Sequence, residues 1–337
     1  LGTDAPLRAA ALYWTGPVSG TWNLYSNWST SSSAATPNPG SLNASDTYNF
    51  NISAVNVDQT VYLDGDQSVN GLFYSNTGTT LSLGGNSTTP ATNTITLSGT
   101  GAGITVNALL SGSVLFGTTG AAKVNLSLGP TLSAPPAFTN MSSNPLTFFN
   151  DITVQGGSGL VLTGGGFGLN TIAGSISSSG SLTKANSLSK WVLSGASVPS
   201  FSGSSNMLGG ILRVANAQAL GSGSLWIGAG TTEFAGNSNT AFNNNIVVSA
   251  DNTITLDRVT AGAGVTHSAG TLTINTVTQT FMAGGLVTSG TAGLLLGTVN
   301  MLSSTFRAVG NYVQPTVRSQ ITLGSLFGTL NYPATFA

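Results

Sequence analysis

The stretch that decides the fold runs from Gly180 to Gly228: GSLTKANSLSKWVLSGASVPSFSGSSNMLGGILRVANAQALGSGSLWIG. Apolar and polar residues alternate in short bursts, and each burst breaks at glycine, serine or asparagine. Alternation at period two marks a strand with one buried face. The stretch contains no acid. Its best helical candidate, Val214–Leu220, would make only two turns before Gly221 stops it.

The same texture extends in both directions. Thr94–Ser98, Lys123–Leu128, Ile246–Val248, Thr253–Leu256, Thr271–Asn275 and Gln320–Leu323 all read as short strands bounded by turn residues. Uniform strands over several hundred residues, with no internal linker, favour stacked coils over a sandwich or barrel. The fold class expected is all-β, a right-handed parallel β-helix (β-solenoid). Strands should pair in parallel between positions roughly 20–25 residues apart. Ile95, Leu97, Val124, Leu126, Leu193, Leu212, Ile254, Leu272 and Ile274 should be buried.

Residues 1–49 differ in composition. Tyr13, Trp14, Trp22, Tyr25, Trp28 and Tyr48 gather there, and the segment reads as an N-terminal aromatic cap on a β-helix of residues 50–310. Residues 311–337, with Phe327, Tyr332 and Phe336, read as a C-terminal cap or extension. A sugar-stacking platform is the competing reading of the tryptophans. A cap is favoured, because the first coil of a solenoid must be covered.

Composition narrows the function. Only 5% of the 337 residues are charged and the net charge is −1, against about 25% charged in an ordinary domain. Such a surface favours association. It excludes nucleic acid as a partner, because that needs clustered Lys and Arg. No run reaches the roughly 18 apolar residues of a membrane helix. The absence of cysteine removes disulfides, zinc–thiolate sites and thiol catalysis.

The quoted stretch resembles the passenger-associated transport repeat, or autotransporter-associated β-strand repeat, of large secreted bacterial surface proteins. The residues that carry the resemblance are Gly180-Ser181-Leu182-Thr183-Lys184, Val192-Leu193-Ser194-Gly195 and Phe201-Ser202-Gly203. They continue with Gly210-Ile211-Leu212-Arg213-Val214 and Ala219-Leu220-Gly221-Ser222-Gly223. Tyr13-Trp14, Gly20-Thr21-Trp22-Asn23, Asn27-Trp28-Ser29 and Asp66–Leu72 are similar to other parts of such proteins. The resemblance implies a parallel β-helix located outside the cell or on its surface.

Residues for chemistry are scarce. Asp64-Gly65-Asp66 could place two carboxylates on one strand face, as a glycosidase pair requires, but it reads better as an acidic turn. His267, the only histidine, reads as an ordinary surface or turn residue. Asp251 and Asp257, with Arg258 beside them, read as a local ion pair. The sequons at Asn27, Asn43, Asn51, Asn86, Asn125 and Asn140 read as chance matches in an Asn-, Ser- and Thr-rich chain. No catalytic, metal or cofactor site is expected.

The function expected is therefore a non-enzymatic extracellular structural protein, a rigid β-helical subunit that assembles with itself into a filament, sheath or surface layer. Its contacts should run through the two ends, with Tyr13, Trp14, Trp22, Trp28, Phe327, Tyr332 and Phe336 as the assembly candidates. The alternative is an adhesin or glycan-binding passenger, with glycans or host and cell surfaces as partners. A polysaccharide-degrading enzyme is the third reading, and it lacks the acids and bases that such a cleft needs.

Overall fold

The computed structural model describes residues 9–16, 19–33, 39–50, 57–75, 80–89, 91–98, 102–108, 112–118, 123–129, 134–185, 188–197, 200–275, 277–302, 305–309 and 317–327. The chain divides into two compact units, one of residues 1–160 with 164–174 and one of 161–163 with 175–337. Each is a parallel β-helix. Among the described residues there is no α-helix, only a single 3-10 turn at Tyr25–Asn27.

In the first unit each full coil has three sides. Gly71–Tyr74, Leu81–Gly84 and Asn93–Leu97 follow one another on three different sheets, and Gly103–Val106 then returns to the first. All three sides stack in parallel: Leu72 lies opposite Ile104, Leu81 opposite Val114, and Ile95 opposite Leu126. Alternate residues point inward, so Ile95 and Leu97 are fully buried while Thr94 and Thr96 are half-exposed. A three-sided interior is wide, and rings fill it. Phe50 stacks on Tyr74 at 5.1 Å, Tyr74 meets Phe116 at 6.0 Å, Phe116 stacks on Phe148 at 4.8 Å, and Phe148 stacks on Phe138 at 4.6 Å. Large rings fill such a cross-section at crystal-like density with few side chains.

In the second unit the quoted stretch makes two-sided coils. Ser205–Met207 on one sheet is followed by Ile211–Val214 on another, and Leu225–Ile227 already lies back over the first. Val214–Leu220 is not a helix. Residues 216–222 form a turn that takes the place of the third strand, with Ala219 and Leu220 tucked inside. Such turns stack: the Ser202 N–H donates to the Ser178 carbonyl, and the Ser222 N–H to the Phe201 carbonyl. Leu193, Leu212 and Val214 fill this interior together with the buried rings of Trp191, Phe201 and Phe234.

Coil length varies within the first unit as well as between the two designs. In the two-sided coils Ser205 lies opposite Leu225 and Ile211 opposite Thr231. The spacing expected from the sequence holds there and in part of the first unit, where Thr47 lies opposite Gly71, Gln59 opposite Leu81 and Thr147 opposite Thr171; other returns are longer. In the first unit Ile104 lies opposite Phe138, and Ser19 opposite Thr60, both much longer returns. A third strand does not by itself set the length, because the short Gln59–Leu81 return also carries Gln67–Val69 and Gly71–Tyr74. From Ile246 onward the coils settle at an intermediate length, as in Ile246 opposite Leu272 and Thr291 opposite Arg318.

All nine residues expected in the core are buried, none with more than 2% of its surface exposed. Parallel pairing also extends beyond residues 50–310. Leu12 lies opposite Tyr48, and Arg318–Phe327 pairs with Thr291–Leu302.

Short polar side chains tie coil to coil. The Asp66 carboxylate accepts the Thr94 N–H (2.8 Å), the Asn245 carboxamide oxygen accepts the Thr271 N–H (2.9 Å), and Asp251 accepts the Thr278 N–H (2.7 Å). Each satisfies a strand-opening donor that the ladder leaves over.

Candidate functional site

The acidic turn is a turn. Asp64 takes a left-handed φ of +46° and Gly65 a φ of +137°, so the two carboxylates do not share a strand face. Both are engaged with neighbouring coils. Asp64 accepts the hydroxyl of Thr21 (3.0 Å) together with the N–H (2.6 Å) and hydroxyl (3.0 Å) of Ser87. Asp46 accepts the N–H groups of Ala10 and Asn43, and Asp58 that of Thr80. These carboxylates serve as staples between segments of the chain.

Asp257 does not pair with Arg258. Its carboxylate meets the Arg213 guanidinium at 2.7 Å, and the same guanidinium nitrogen meets Glu233 at 2.9 Å, which in turn holds the Lys190 ammonium at 2.6 Å. The other Asp257 oxygen accepts the Leu286 N–H. Arg258 turns away and donates to the carbonyls of Thr260 and Ala263. Arg213 lies opposite Glu233 in the ladder, which brings charges from successive coils together. The sequence signal for this row is charge recurring at coil spacing, from Lys190 to Arg213, Glu233 and Asp257. Local reading along the chain missed it, because the partners lie a whole coil or more apart.

His267 is not at the surface. It is fully buried on Thr266–Ala269, directly opposite the buried Leu294, with its ring edge-on to Phe242 at 5.5 Å. Its Nε2 lies 2.9 Å from the Asp257 carbonyl oxygen. A carbonyl can only accept, so the proton sits on Nε2 and leaves Nδ1 as a buried acceptor without a partner. Burial pulls its pKa below the usual 6.5, opposed by its hydrogen bond to Asp257. The ring borders a shallow depression of about 280 Å³ lined by Asn239, Thr240, Thr266 and Leu295. Among the described residues no group hydrogen-bonds to Nδ1, so they form no triad through it.

The assembly candidates separate. Trp14, Trp22 and Trp28 come together within the chain's own core, 3%, 0% and 0% exposed. Trp28 lies edge-on to Trp14 at 5.1 Å and to Trp22 at 4.9 Å, and its indole N–H donates to the Trp22 carbonyl. These rings close the first coils and offer no face to a sugar or a second chain. Tyr13 is half-buried beside them. Phe327, in the second unit, is 61% exposed at the end of Arg318–Phe327. Tyr332 and Phe336 lie outside the described residues.

Two sequons are occupied by structure. The Asn140 amide donates to Asn170 (2.6 Å) and to the Asn144 carbonyl (2.8 Å), and that of Asn27 donates to the Thr21 carbonyl. Both asparagines are buried.

The site that sequence reading underrated is the strand Arg318–Phe327, ten residues long. It pairs with Thr291–Leu302 along one edge, and among the described residues no strand pairs with the other. Its sequence signal was present in the alternation of Gln320–Leu323, but an edge is defined by what does not lie beside it. Among the described residues no group of three or more His, Asp or Glu could hold a metal ion, and no helix is long and apolar enough to cross a membrane. No family model, curated protein or solved structure matches the chain.

Proposed function

We propose that this is a non-enzymatic structural protein of the bacterial cell exterior, a β-helical subunit that associates with copies of itself in a filament, sheath or surface layer. The observation that carries the reading is the long strand edge at Arg318–Phe327, a row of backbone donors and acceptors of the kind that templates a further strand. The low charge supports it, since little repulsion keeps copies apart. The use of the acids as coil staples and ion-pair partners argues against catalysis. The exterior location rests on the resemblance of residues 180–223 to secreted bacterial surface repeats.

Electron microscopy and light scattering of the purified chain across a concentration series test this. Assemblies that grow with concentration are expected. A monodisperse single chain at the highest concentration shifts the weight to an adhesin or glycan-binding role, which one feature favours. Trp226 is 48% exposed on an outer strand face, with Asn206 and Val247 directly beside it in the ladder, and a half-bare indole can stack on a sugar ring. For the enzyme question, polysaccharide cleavage abolished by joint Asp64→Asn and Asp66→Asn substitution would overturn the non-catalytic reading.

A further inference from the structure

The edge of Arg318–Phe327 that no described strand covers constrains its partner, and we infer that two copies of the chain join tail to tail, Arg318–Phe327 against Arg318–Phe327, antiparallel about a two-fold axis at Leu323. This rests on the self-association proposed above and specifies its surface.

The backbone sets which groups are on offer. The Arg318 N–H donates to the Gly290 carbonyl (3.0 Å), so even-numbered residues of the strand turn their amides toward Thr291–Leu302. Ile321, Leu323 and Ser325 turn theirs to the open edge. The side chains of Ile321 and Leu323 continue two core rows. They lie opposite Leu294 and Leu296, which are fully buried, yet are themselves only half-buried. A strand laid on this edge would cover them.

A second copy of the same edge fits better than the first unit's terminal strands. Those strands are Trp28–Ser29 and Ser19–Thr21, two and three residues long, with their indoles turned inward. They are too short to pair along the whole edge. The edge itself is of equal length by definition. A two-fold axis at Leu323 sets Leu323 against its own copy and Ile321 against Ser325, keeps the apolar row on one face, and lets each outward pair exchange both N–H···O bonds. The only charge in Arg318–Phe327 is Arg318, at its start. No like charges therefore meet across the paired segment. The contact closes on itself, so growth into a filament or layer uses other surfaces.

Leu323→Lys and Leu323→Glu test the axis. Each places like charges against each other and should weaken pairing by roughly a hundredfold. An equimolar mixture should restore it, because Lys then meets Glu. Ser325→Pro, which removes an outward donor without taking a bond from the neighbouring strand, should weaken pairing in the same way. Sedimentation and light scattering of the full chain read the mass, and circular dichroism checks the fold. Folded variants that still associate like wild type, or a mixture that stays dissociated, overturn the tail-to-tail pair and leave the structural role standing. A wild type of single-chain mass at every concentration overturns both.

Discussion

The coils of residues 71–154 and those of residues 182–256 solve one problem with different cross-sections. The first take three strands per turn, return late, as in the Leu72–Ile104, Asn93–Val124 and Ile104–Phe138 steps, and fill the interior with rings. The second take two strands and a turn, return early, as in the Leu182–Ser205, Ser205–Leu225 and Ile211–Thr231 steps, and pack Leu, Ile, Val and Met around a few rings, Trp191, Phe201 and Phe234 among them. The strand ladders are alike in both. What differs is the third side, and with it the volume that side chains must occupy. In these two stretches coil length and the form of the third side change together.

The largest test of this comparison is a ring deletion. Phe148 is 1% exposed and stacks against Phe116 and Phe138. Phe148→Ala should cost about 3–5 kcal/mol, because a rigid three-sided wall cannot collapse into the hole. Ile227→Val, in a two-sided coil, should cost only about 0.5–1.5 kcal/mol. Urea titrations compare the two. Equal small losses would mean that the wide coils tolerate voids and that ring filling is incidental.

Alkaline pH should separate the regions by sign. Burial pulls Lys184 from 10.5 down to about 8, while its ammonium donates to the carbonyls of Ala185 and Gly209. Between about 8 and 10.5 the unfolded lysine holds a proton that the folded one has lost, so stability rises with pH across that window, by at most about 3 kcal/mol. Tyr48 and Tyr74, in the first unit, behave oppositely. Burial pushes both phenols up, with the Asp46 charge adding to the effect at Tyr48. Above the usual 10 the unfolded tyrosine has lost a proton that the folded one keeps, so stability falls there. His267 adds a third window. Its pKa is depressed, so stability falls as pH drops through 6.5. Urea titrations from mildly acid to alkaline pH, with Lys184→Met and Tyr74→Phe as references, should flatten the matching window in each variant. An unchanged profile in both would remove these groups from the account.

Much of the fold was legible because strand alternation is a local signal. The Thr94–Ser98 and Lys123–Leu128 patterns needed no knowledge of their neighbours to be read as strands with buried Ile95, Leu97, Val124 and Leu126. The expected coil length met returns such as Ser205–Leu225 and Gln59–Leu81 and missed longer ones such as Ile104–Phe138. The Ala219–Gly223 turn advertises itself with small residues, whereas the third side at Asn93–Leu97 looks like any other strand. The site was less legible. The Arg213 row and the burial of His267 depend on which residues lie one coil away, Glu233 in one case and Leu294 in the other. His267 stands between Thr266 and Ser268, which gives no hint of a core position. The grouping of the three tryptophans was readable, but their inward orientation, set by packing on one another and on Tyr48 and Phe50, was not.

The finest test concerns the turn that replaces the third strand. Gly221 has a φ of +63°, and its N–H closes the turn on the Gln218 carbonyl. A Cβ at this position would stand 2.0 Å from the Phe201 carbonyl oxygen and 2.8 Å from the Phe201 Cβ. Both are parts of the turn one coil earlier, so the two turns stack backbone on backbone, at a separation that only glycine permits. Gly221→Ala must either spread the turns or twist its own backbone. Either response should cost about 1–3 kcal/mol. Gly285 is the control. It also lies in a turn, but a Cβ there would meet nothing within 4 Å and no left-handed φ is required. Gly285→Ala should be neutral or stabilise by up to about 1 kcal/mol, through the reduced freedom of the unfolded chain. Denaturation midpoints of the two variants measure the difference. If Gly221→Ala proved as harmless as Gly285→Ala, close turn stacking would not be what keeps these coils short.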